Sequence, residues 1–332
     1  FRGFAASWLE QRGYLDDAVA SLGDSAHGEE ARARLDALEP AAPSRSGFER
    51  VAELAVLIDT EFFAISFNRA TGAIAHLKDK RDGYVWANGS QMLGWVRYQT
   101  FSQTDYDRFV DQYLDASLDW ALADFSKPGM AQAGAASGWW QPSLSGLWRK
   151  VDSTGHSFLL RLDVPEQRES LCGCPRVFYQ EVFQPRAEPV LQFTLQWFDK
   201  PASRLPEALW FSFCPSVPDP DRWLMEKLGR WISPLEVIRD GNRKLHAIER
   251  RLACNDGERE VTLESFDAPL VAPGEPSLLN FDNQQPVLAE GMHFNLYNNI
   301  WGTNYPMWYD QNARFRFKLS LETKGNRTHA LP

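Results

Sequence analysis

The chain has 332 residues and carries 44 acidic against 35 basic side chains, for a formal net charge of −9. This balance makes nucleic acid a poor candidate partner, because phosphate binding normally shows as a basic surplus or stripe. Hydrophobic residues make up 44% and aromatic residues 13% of the sequence, which excludes wholesale disorder. No apolar run approaches the roughly 18 residues needed to cross a bilayer, so no membrane partner is predicted.

Two amphipathic helices are predicted at the start of the chain. Apolar residues, mostly three, four or six positions apart, predict a helix that Gly23 ends, with one face formed by Phe4, Trp8, Leu9, Leu15, Val19 and Leu22. A second, shorter helix is predicted to stop at Pro40. The helical segment is therefore assigned to residues 1–40, and the stretch A-A-P-S-R-S at 41–46 is interpreted as a linker.

Beyond residue 47 the pattern changes to short runs with a period of two, which is typical of strands. The runs at 63–67 and 74–77 flank turn residues and predict a hairpin. In 315–321, phenylalanine and leucine alternate with arginine, lysine and serine, as on a sheet with one dry face. Further strands are predicted at 92–100, 158–164, 177–183, 190–197, 209–213 and 261–263, and short helices at 104–114 and 222–228.

Strands that follow one another without long helices between them favour antiparallel sheets packed face to face. The predicted fold class is therefore mainly β: a large antiparallel β super-sandwich over residues 47–332, preceded by the short α-helical segment. Two sub-sandwiches within 47–332 are one arrangement that this length allows.

Common catalytic motifs are missing from the sequence. It contains no glycine-rich phosphate loop and no G-x-S-x-G elbow, and S-L-S-G at 143–146 is interpreted as a turn. The six histidines form no close pair that would begin a metal site. Cys172 and Cys174 are too close for an easy mutual disulfide, so the four cysteines are predicted to be buried or free thiols.

The most informative segment is 294–309, F-N-L-Y-N-N-I-W-G-T-N-Y-P-M-W-Y, with four asparagines, three tyrosines and two tryptophans. Carboxamides match sugar hydroxyls as donors and acceptors, and aromatic rings pack on the apolar faces of pyranoses. The alternative is a loop whose asparagines bond to its own backbone and whose rings fill one end of the sandwich. The candidate substrate-binding residues are Asn298, Asn299, Trp301, Asn304 and Tyr305, with His293 just before the segment and Asp282 in a second polar cluster.

Trp139 and Trp140 form a further aromatic group. Neighbouring side chains of an extended segment point to opposite faces, so at most one of these two rings can face a ligand.

Four motifs carry a resemblance to a known family: S-W-L-E-Q-R at 7–12, Y-Q-T-F-S-Q-T-D-Y-D-R-F at 98–109, E-S-F-D-A-P-L-V at 264–271 and Y-N-N-I-W-G-T-N-Y-P-M-W-Y at 297–309. The chain resembles the carboxyl-terminal half of uncharacterised proteins in which a barrel similar to family-38 glycoside hydrolases, the α-mannosidase type, comes first. In those proteins a helical segment and a large, galactose mutarotase-like β super-sandwich follow the barrel.

This resemblance implies that the catalytic nucleophile and most or all zinc ligands belong to the barrel, so no catalytic residue, metal ligand or cofactor is expected in this chain. The expected partners are carbohydrate and the catalytic barrel of the same polypeptide, on which the sandwich would pack. An exposed apolar face including Phe1, Phe4 and Trp8 is expected where the barrel would sit.

Two other functions remain open at this stage. One is a free-standing carbohydrate-binding module. The other is a mutarotase-like sugar epimerase, in which His246 or His293 as acid and Glu264 as base would share one cavity.

Overall fold

The computed structural model describes residues 2–52, 56–115, 119–164, 173–302 and 307–323. The chain divides into two compact units, residues 1–42 and residues 43–332.

The first unit contains the two predicted helices, α1 (Arg2–Ala20) and α2 (Ala26–Asp36). Gly23 lies between them with φ +60°, a conformation that ends helices and favours glycine. Ser25 begins α2 by accepting a hydrogen bond from the backbone N–H of Gly28 at 3.1 Å. None of the helices in the described part of the chain is long and apolar enough to cross a membrane.

The apolar face of α1 is partly exposed. Leu9 and Leu15 are 67% and 58% exposed, whereas Trp8 is half-buried. Phe1 and the side chain of Phe4 lie outside the described residues, so the expectation for these two stays a prediction.

The second unit is built from two antiparallel sheets, and strand labels follow chain order. Within the described residues, the first sheet has ten strands in the order β1 (Glu49–Arg50), β7 (Ser143–Val151), β8 (Gly155–Asp163), β9 (Val177–Pro185), β10 (Val190–Phe198), β19 (Ala313–Thr323), β16 (Arg259–Ser265), β15 (Arg251–Asn255), β12 (Trp223–Lys227) and β13 (Arg230–Ile232).

The second sheet has nine described strands. Its order is β14 (His246–Ala247), β17 (Leu270–Pro273), β18 (Met292–Asn298), β11 (Glu207–Phe213), β5 (Val85–Thr100), β4 (Ile74–Asp79), β3 (Phe63–Phe67) and β2 (Ile58–Asp59), and β6 (Gly138–Trp140) also pairs with β5. The mainly β, antiparallel sandwich predicted from the sequence is confirmed.

An aromatic core joins the two sheets. Phe193 and Phe317 of the first sheet meet Phe211, Phe213 and Phe294 of the second, and the ring centroids of contacting pairs lie 5.0–6.2 Å apart. All five side chains are at most 1% exposed. The alternation predicted for 315–321 is confirmed, because it places one phenylalanine and two leucines of β19 in this core.

Two local predictions are wrong. Residues 222–228 were expected to be helical, but 223–227 form β12, which pairs with β15. Burial of Trp223 and Met225 at alternate positions decides this, since period-two burial suits a strand and not a helix. The S-L-S-G string at 143–146, interpreted as a turn, begins β7 and pairs with β8.

Helix α3 (Gln103–Tyr113) confirms the helix predicted at 104–114, and a short helix, α4 (Asp119–Asp124), follows. Ser102 and Asp105 form a capping box at the start of α3. Tyr106 and Phe109 of α3 belong to a second apolar cluster, which also contains outward-facing residues of the nine-stranded sheet, Ala208, Trp210 and Ala272. Helix α3 therefore packs on the outer face of that sheet.

Candidate functional site

A β-bulge at Gly94 decides which side chains of β5 face outward. Trp95 pairs with Ser212 and Leu93 pairs with Phe213, so Gly94 is an extra residue on β5. It has φ +72°. After the bulge, Val96 and Tyr98 point into the main core, and the strand period therefore places Trp95, Arg97 and Gln99 on the outer face.

Arg97 is the central residue of this face. Its Nη2 lies 2.9 Å from Ser212 Oγ and 2.9 Å from His293 Nδ1. Its guanidinium carbon lies 4.1 Å from the ring centroid of Trp95 and 5.4 Å from that of Trp139, within the range of cation–π attraction. Burial lowers the pKa of Arg97 to about 10, so the side chain is still charged at neutral pH.

His293, one of the predicted site residues, holds Arg97 in place. The ring is 3% exposed, and its Nε2 lies 3.0 Å from the carbonyl oxygen of Gly274. A carbonyl only accepts, so Nε2 carries the proton and Nδ1 accepts from the guanidinium. Burial and the nearby charge of Arg97 lower the pKa of His293 to about 3. His293 is therefore a neutral acceptor at physiological pH.

Buried neutral histidines should make the protein acid-sensitive. Burial also lowers the pKa of His246 to about 4, and both values lie below the ordinary 6.5. The unfolded chain therefore takes up protons that the folded chain does not, and stability falls as pH drops below 6.5. We expect His293 to account for a loss of about 2 kcal/mol between pH 7 and pH 5.

Urea denaturation of the wild type and of His293→Gln at both pH values tests this expectation. Glutamine can still accept from Arg97 but does not titrate, so the variant should lose less stability on acidification. Equal losses in the two proteins would show that His293 does not cause the effect.

A cavity of about 420 Å³ opens beside Arg97. Gln99 and Trp139 line it on the sheet side, Asp105 and Arg108 line it from α3, and residues 275–280 complete its wall. Trp139 is 47% exposed, whereas Trp140 packs against the main core. The two rings therefore lie on opposite faces of β6, as the strand period predicts.

Asp282 lies next to this cavity. Its carboxylate accepts from Lys244 Nζ at 3.0 Å and from Asn280 Nδ2 at 3.0 Å, and Asn280 lines the cavity wall. Of the predicted site residues, His293 and Asp282 thus each contact a residue that lines the cavity, Arg97 and Asn280 respectively, without lining it themselves.

The other described candidates lie elsewhere. Asn299 is 3% exposed; its amide nitrogen donates to the carbonyls of Ser203, Leu205 and Met307, and its side-chain oxygen accepts from the Glu207 N–H at 2.8 Å. These bonds support the structural alternative for Asn299.

Asn298 is also bonded within the protein: its side-chain Nδ2 donates to Asn295 Oδ1 at 2.7 Å.

Trp301 contacts Phe109 and Phe125 edge-on, with ring centroids 6.1 Å and 5.4 Å apart. This ring therefore packs within the second apolar cluster. Asn304 and Tyr305 lie outside the described residues, and their proposed sugar contact stays a prediction.

The acid–base pair of the epimerase alternative does not assemble around His293. Leu263 and Phe294 both face the main core, so Glu264 and His293, which follow and precede them, face the two opposite outer surfaces of the sandwich. Glu264 instead lies 3.4 Å from Arg250. His246 pairs with Val271, a residue of the main core, and so points inward.

Within the described part of the chain, no group of three or more His, Cys, Asp or Glu could hold a metal ion. Cys174, Cys214 and Cys254 are buried free thiols, as predicted, and Cys172 lies outside the described residues.

Sequence reasoning missed Arg97 because a single arginine on a strand has no motif. A signal was present in G-W-V-R at 94–97, where a glycine precedes a tryptophan and an arginine at alternate positions. Only the sheet shows that Trp139 and His293 converge on the same guanidinium.

Comparison with known proteins adds a family and a fold. Residues 1–192 match the family model described as a domain of unknown function, DUF5054. A comparison with curated proteins gave no significant match.

Solved structures of similar fold include an α-mannosidase from Enterococcus faecalis V583, at 12% identity and a TM-score of 0.51, over 83% of this chain and 30% of that chain. A protein in glycosyl hydrolase family 38 from Enterococcus faecalis is 12% identical, with a TM-score of 0.50 over 86% of this chain and 32% of that one. A galactose 1-epimerase from Lactobacillus acidophilus NCFM aligns over 83% of this chain and 98% of its own, at 10% identity and a TM-score of 0.42. The chain thus spans about a third of the length of the two Enterococcus proteins.

Proposed function

The chain belongs to the DUF5054 family, and from this membership and its sandwich fold we propose that it is the carboxyl-terminal accessory region of an α-mannosidase-like glycoside hydrolase. In this proposal the sandwich packs on a catalytic barrel of the same polypeptide and contributes contacts to carbohydrate. The nucleophile and any catalytic zinc would belong to the barrel.

The fold comparison supports an accessory sandwich that is separate from the catalytic barrel. The alignment with the α-mannosidase from Enterococcus faecalis V583 covers 83% of this chain but only 30% of the α-mannosidase. The reading frame that encodes this chain is accordingly expected to encode a family-38-type barrel upstream.

The cavity beside Arg97 is the main support for the proposed contact with carbohydrate. Its volume of about 420 Å³ lies in the range of small-molecule sites, roughly 300–1,000 Å³. Trp139 offers an exposed indole. On the same walls, Gln99 and Asn280 each use one carboxamide atom within the protein, in bonds to Trp210 and Asp282, so the donor Nε2 of Gln99 and the acceptor Oδ1 of Asn280 are the groups considered for a ligand. An aromatic surface beside donors and acceptors matches the apolar face and the hydroxyls of a pyranose.

Titration of intrinsic fluorescence with mannose-type oligosaccharides tests this contact. We expect saturable quenching in the wild type and about 3- to 10-fold weaker binding in Trp139→Ala, because stacking on one ring contributes about 0.5–1.5 kcal/mol. Trp120→Ala is the matched control, since Trp120 is 65% exposed but does not line the cavity. A flat response, or equal weakening in both variants, would contradict sugar binding at this cavity.

Hydrolysis provides a second test. The isolated 332-residue chain is expected to leave aryl mannosides intact, with or without added zinc. Robust zinc-independent turnover that follows the purified chain would contradict an accessory role.

A further inference from the structure

Within the part of the chain that the structure describes, Arg97 has no acidic partner at the edge of the cavity. Among the described residues, no carboxylate oxygen lies within 4.0 Å of its guanidinium, and its two short contacts go to a hydroxyl and a neutral imidazole. Its Nε is buried without a hydrogen-bond partner in the same set of residues. Buried charges in proteins are normally paired, because removing a charge from water is costly.

The acidic groups of the cavity are already engaged with other bases. Asp105 lies 3.2 Å from Arg108 and also caps α3 through the Ser102 N–H at 2.8 Å. Glu275 lies 3.5 Å from Lys244 Nζ, which also pairs with Asp282. Neither carboxylate is within ion-pair distance of Arg97. The three bases and three acids named here sum to zero, because Lys244 is shared by two carboxylates, and Arg97 is the base among them that has no direct ion-pair partner in the described part of the chain.

Arg97 is also held in a fixed position. Ser212 and His293 both contact Nη2, and the ring centroids of Trp95 and Trp139 lie 4.1 Å and 5.4 Å from the guanidinium carbon. A planar donor group that is fixed in advance loses little entropy when it binds an anion. Nη1 makes no hydrogen bond to any described residue, and its donors are left for a ligand.

Building on the proposed function, we propose that this cavity binds a sugar that bears an anionic substituent, a carboxylate, sulfate or phosphate, with the anion on Arg97 and the ring against Trp139. Carboxylate, sulfate and phosphate oxygens all accept charge-assisted hydrogen bonds from a guanidinium. Gln99 and Asn280, on the same walls, would serve the hydroxyls.

Isothermal titration calorimetry of the full chain distinguishes between the chemical classes of ligand. The probes are mannose, mannuronate, mannose 6-sulfate, mannose 6-phosphate and inorganic phosphate, each at low and high salt. We expect at least one anionic sugar to bind about 10-fold more tightly than mannose, the difference attributed to a charged hydrogen bond of about 1.5 kcal/mol. This advantage should shrink as salt screens the charge.

Variants assign the effect to one side chain. Arg97→Gln should bind mannose and its anionic derivative equally, whereas Arg97→Lys should keep part of the preference. Arg230→Gln is the matched control, because Arg230 is an exposed arginine at the edge of the other sheet. If Arg97→Gln does not fold, Arg97→Lys and the salt dependence of the wild type decide the question.

The outcomes distinguish the two proposals. Binding of mannose without tighter binding of any anionic sugar, or an undiminished preference in Arg97→Gln, overturns the anionic ligand and leaves the proposed function intact. Inorganic phosphate binding as tightly as mannose 6-phosphate overturns the sugar as part of the ligand. If no sugar binds at all, the inference and the carbohydrate part of the proposed function both fail.

Discussion

Replacing Lys200 with methionine is expected to lower the free energy of unfolding by about 3–5 kcal/mol. Lys200 Nζ lies 2.6 Å from Glu207 Oε1, and the two side chains are 0% and 1% exposed. The other carboxylate oxygen accepts from the hydroxyl of Tyr98 at 2.6 Å. Without the ammonium group, Glu207 would be left as a buried carboxylate that keeps the Tyr98 hydroxyl and the electrostatic influence of Lys127 but has lost its direct ion pair, and this loss of pairing destabilises the folded state.

The double variant Lys200→Met, Glu207→Leu is the control, because it removes both charges. It should recover much of the stability lost in the single variant, since a buried ion pair often contributes little net free energy compared with apolar residues. Urea denaturation of the three proteins measures the difference. A single variant within about 1 kcal/mol of the wild type would mean that water or backbone groups replace the ammonium.

Acidification should partly rescue the Lys200→Met variant. Burial raises the pKa of Glu207, and Lys200 is the largest influence that opposes this shift. A raised pKa means that the folded state holds its proton longer than the unfolded state, so stability is highest below the ordinary value of 4.5 and is lost as pH rises. The stability deficit of the variant should therefore be smaller at pH 5 than at pH 8.

Alanine in place of Gly94 is expected to cost about 2–4 kcal/mol, from a backbone part of about 1 kcal/mol and an overpacking part of about 1–3 kcal/mol. Gly94 has φ +72°, and an added Cβ would lie 2.7 Å from Gln180 Nε2 and 2.9 Å from Phe193 Cε1. Phe193 belongs to the aromatic core, so its ring cannot withdraw without disturbing its neighbours.

Gly89→Ala provides the matched control on the same strand. Gly89 has φ +90° but open space around its Cα, so it isolates the backbone part and should cost about 1 kcal/mol. Thermal or urea denaturation compares the two variants. Equal losses would show that the core accommodates a methyl group at the bulge, and that packing does not specify glycine at position 94.

The bulge also connects the fold with the candidate site. It brings Trp95 and Arg97 onto the outer face, where they meet Ser212 and His293 across the sheet. If Gly94→Ala shifts the strand, the sugar preference assigned to Arg97 should weaken together with stability, whereas Gly89→Ala should leave it unchanged.

Local pattern was sufficient for much of the fold. The strands at 63–67 and 315–321 follow from hydrophobic period and turn residues, which act over a few neighbouring positions, and the helix predicted at 104–114 is also present. The mainly β class and the opposed directions of Trp139 and Trp140 follow from the same short-range rules. The sequence by itself therefore determined the mainly β class and the facing of side chains in these regular segments.

Only the tertiary structure decided what those side chains do. Residues 223–227 form a strand because β15 pairs with them. The side-chain amide of Asn299 is not available to a ligand, because it donates to three backbone carbonyls from other segments of the chain. The site around Arg97 joins residues as far apart as 97, 139 and 293. Such contacts depend on strand order and register across the whole sheet, which no local window of sequence contains.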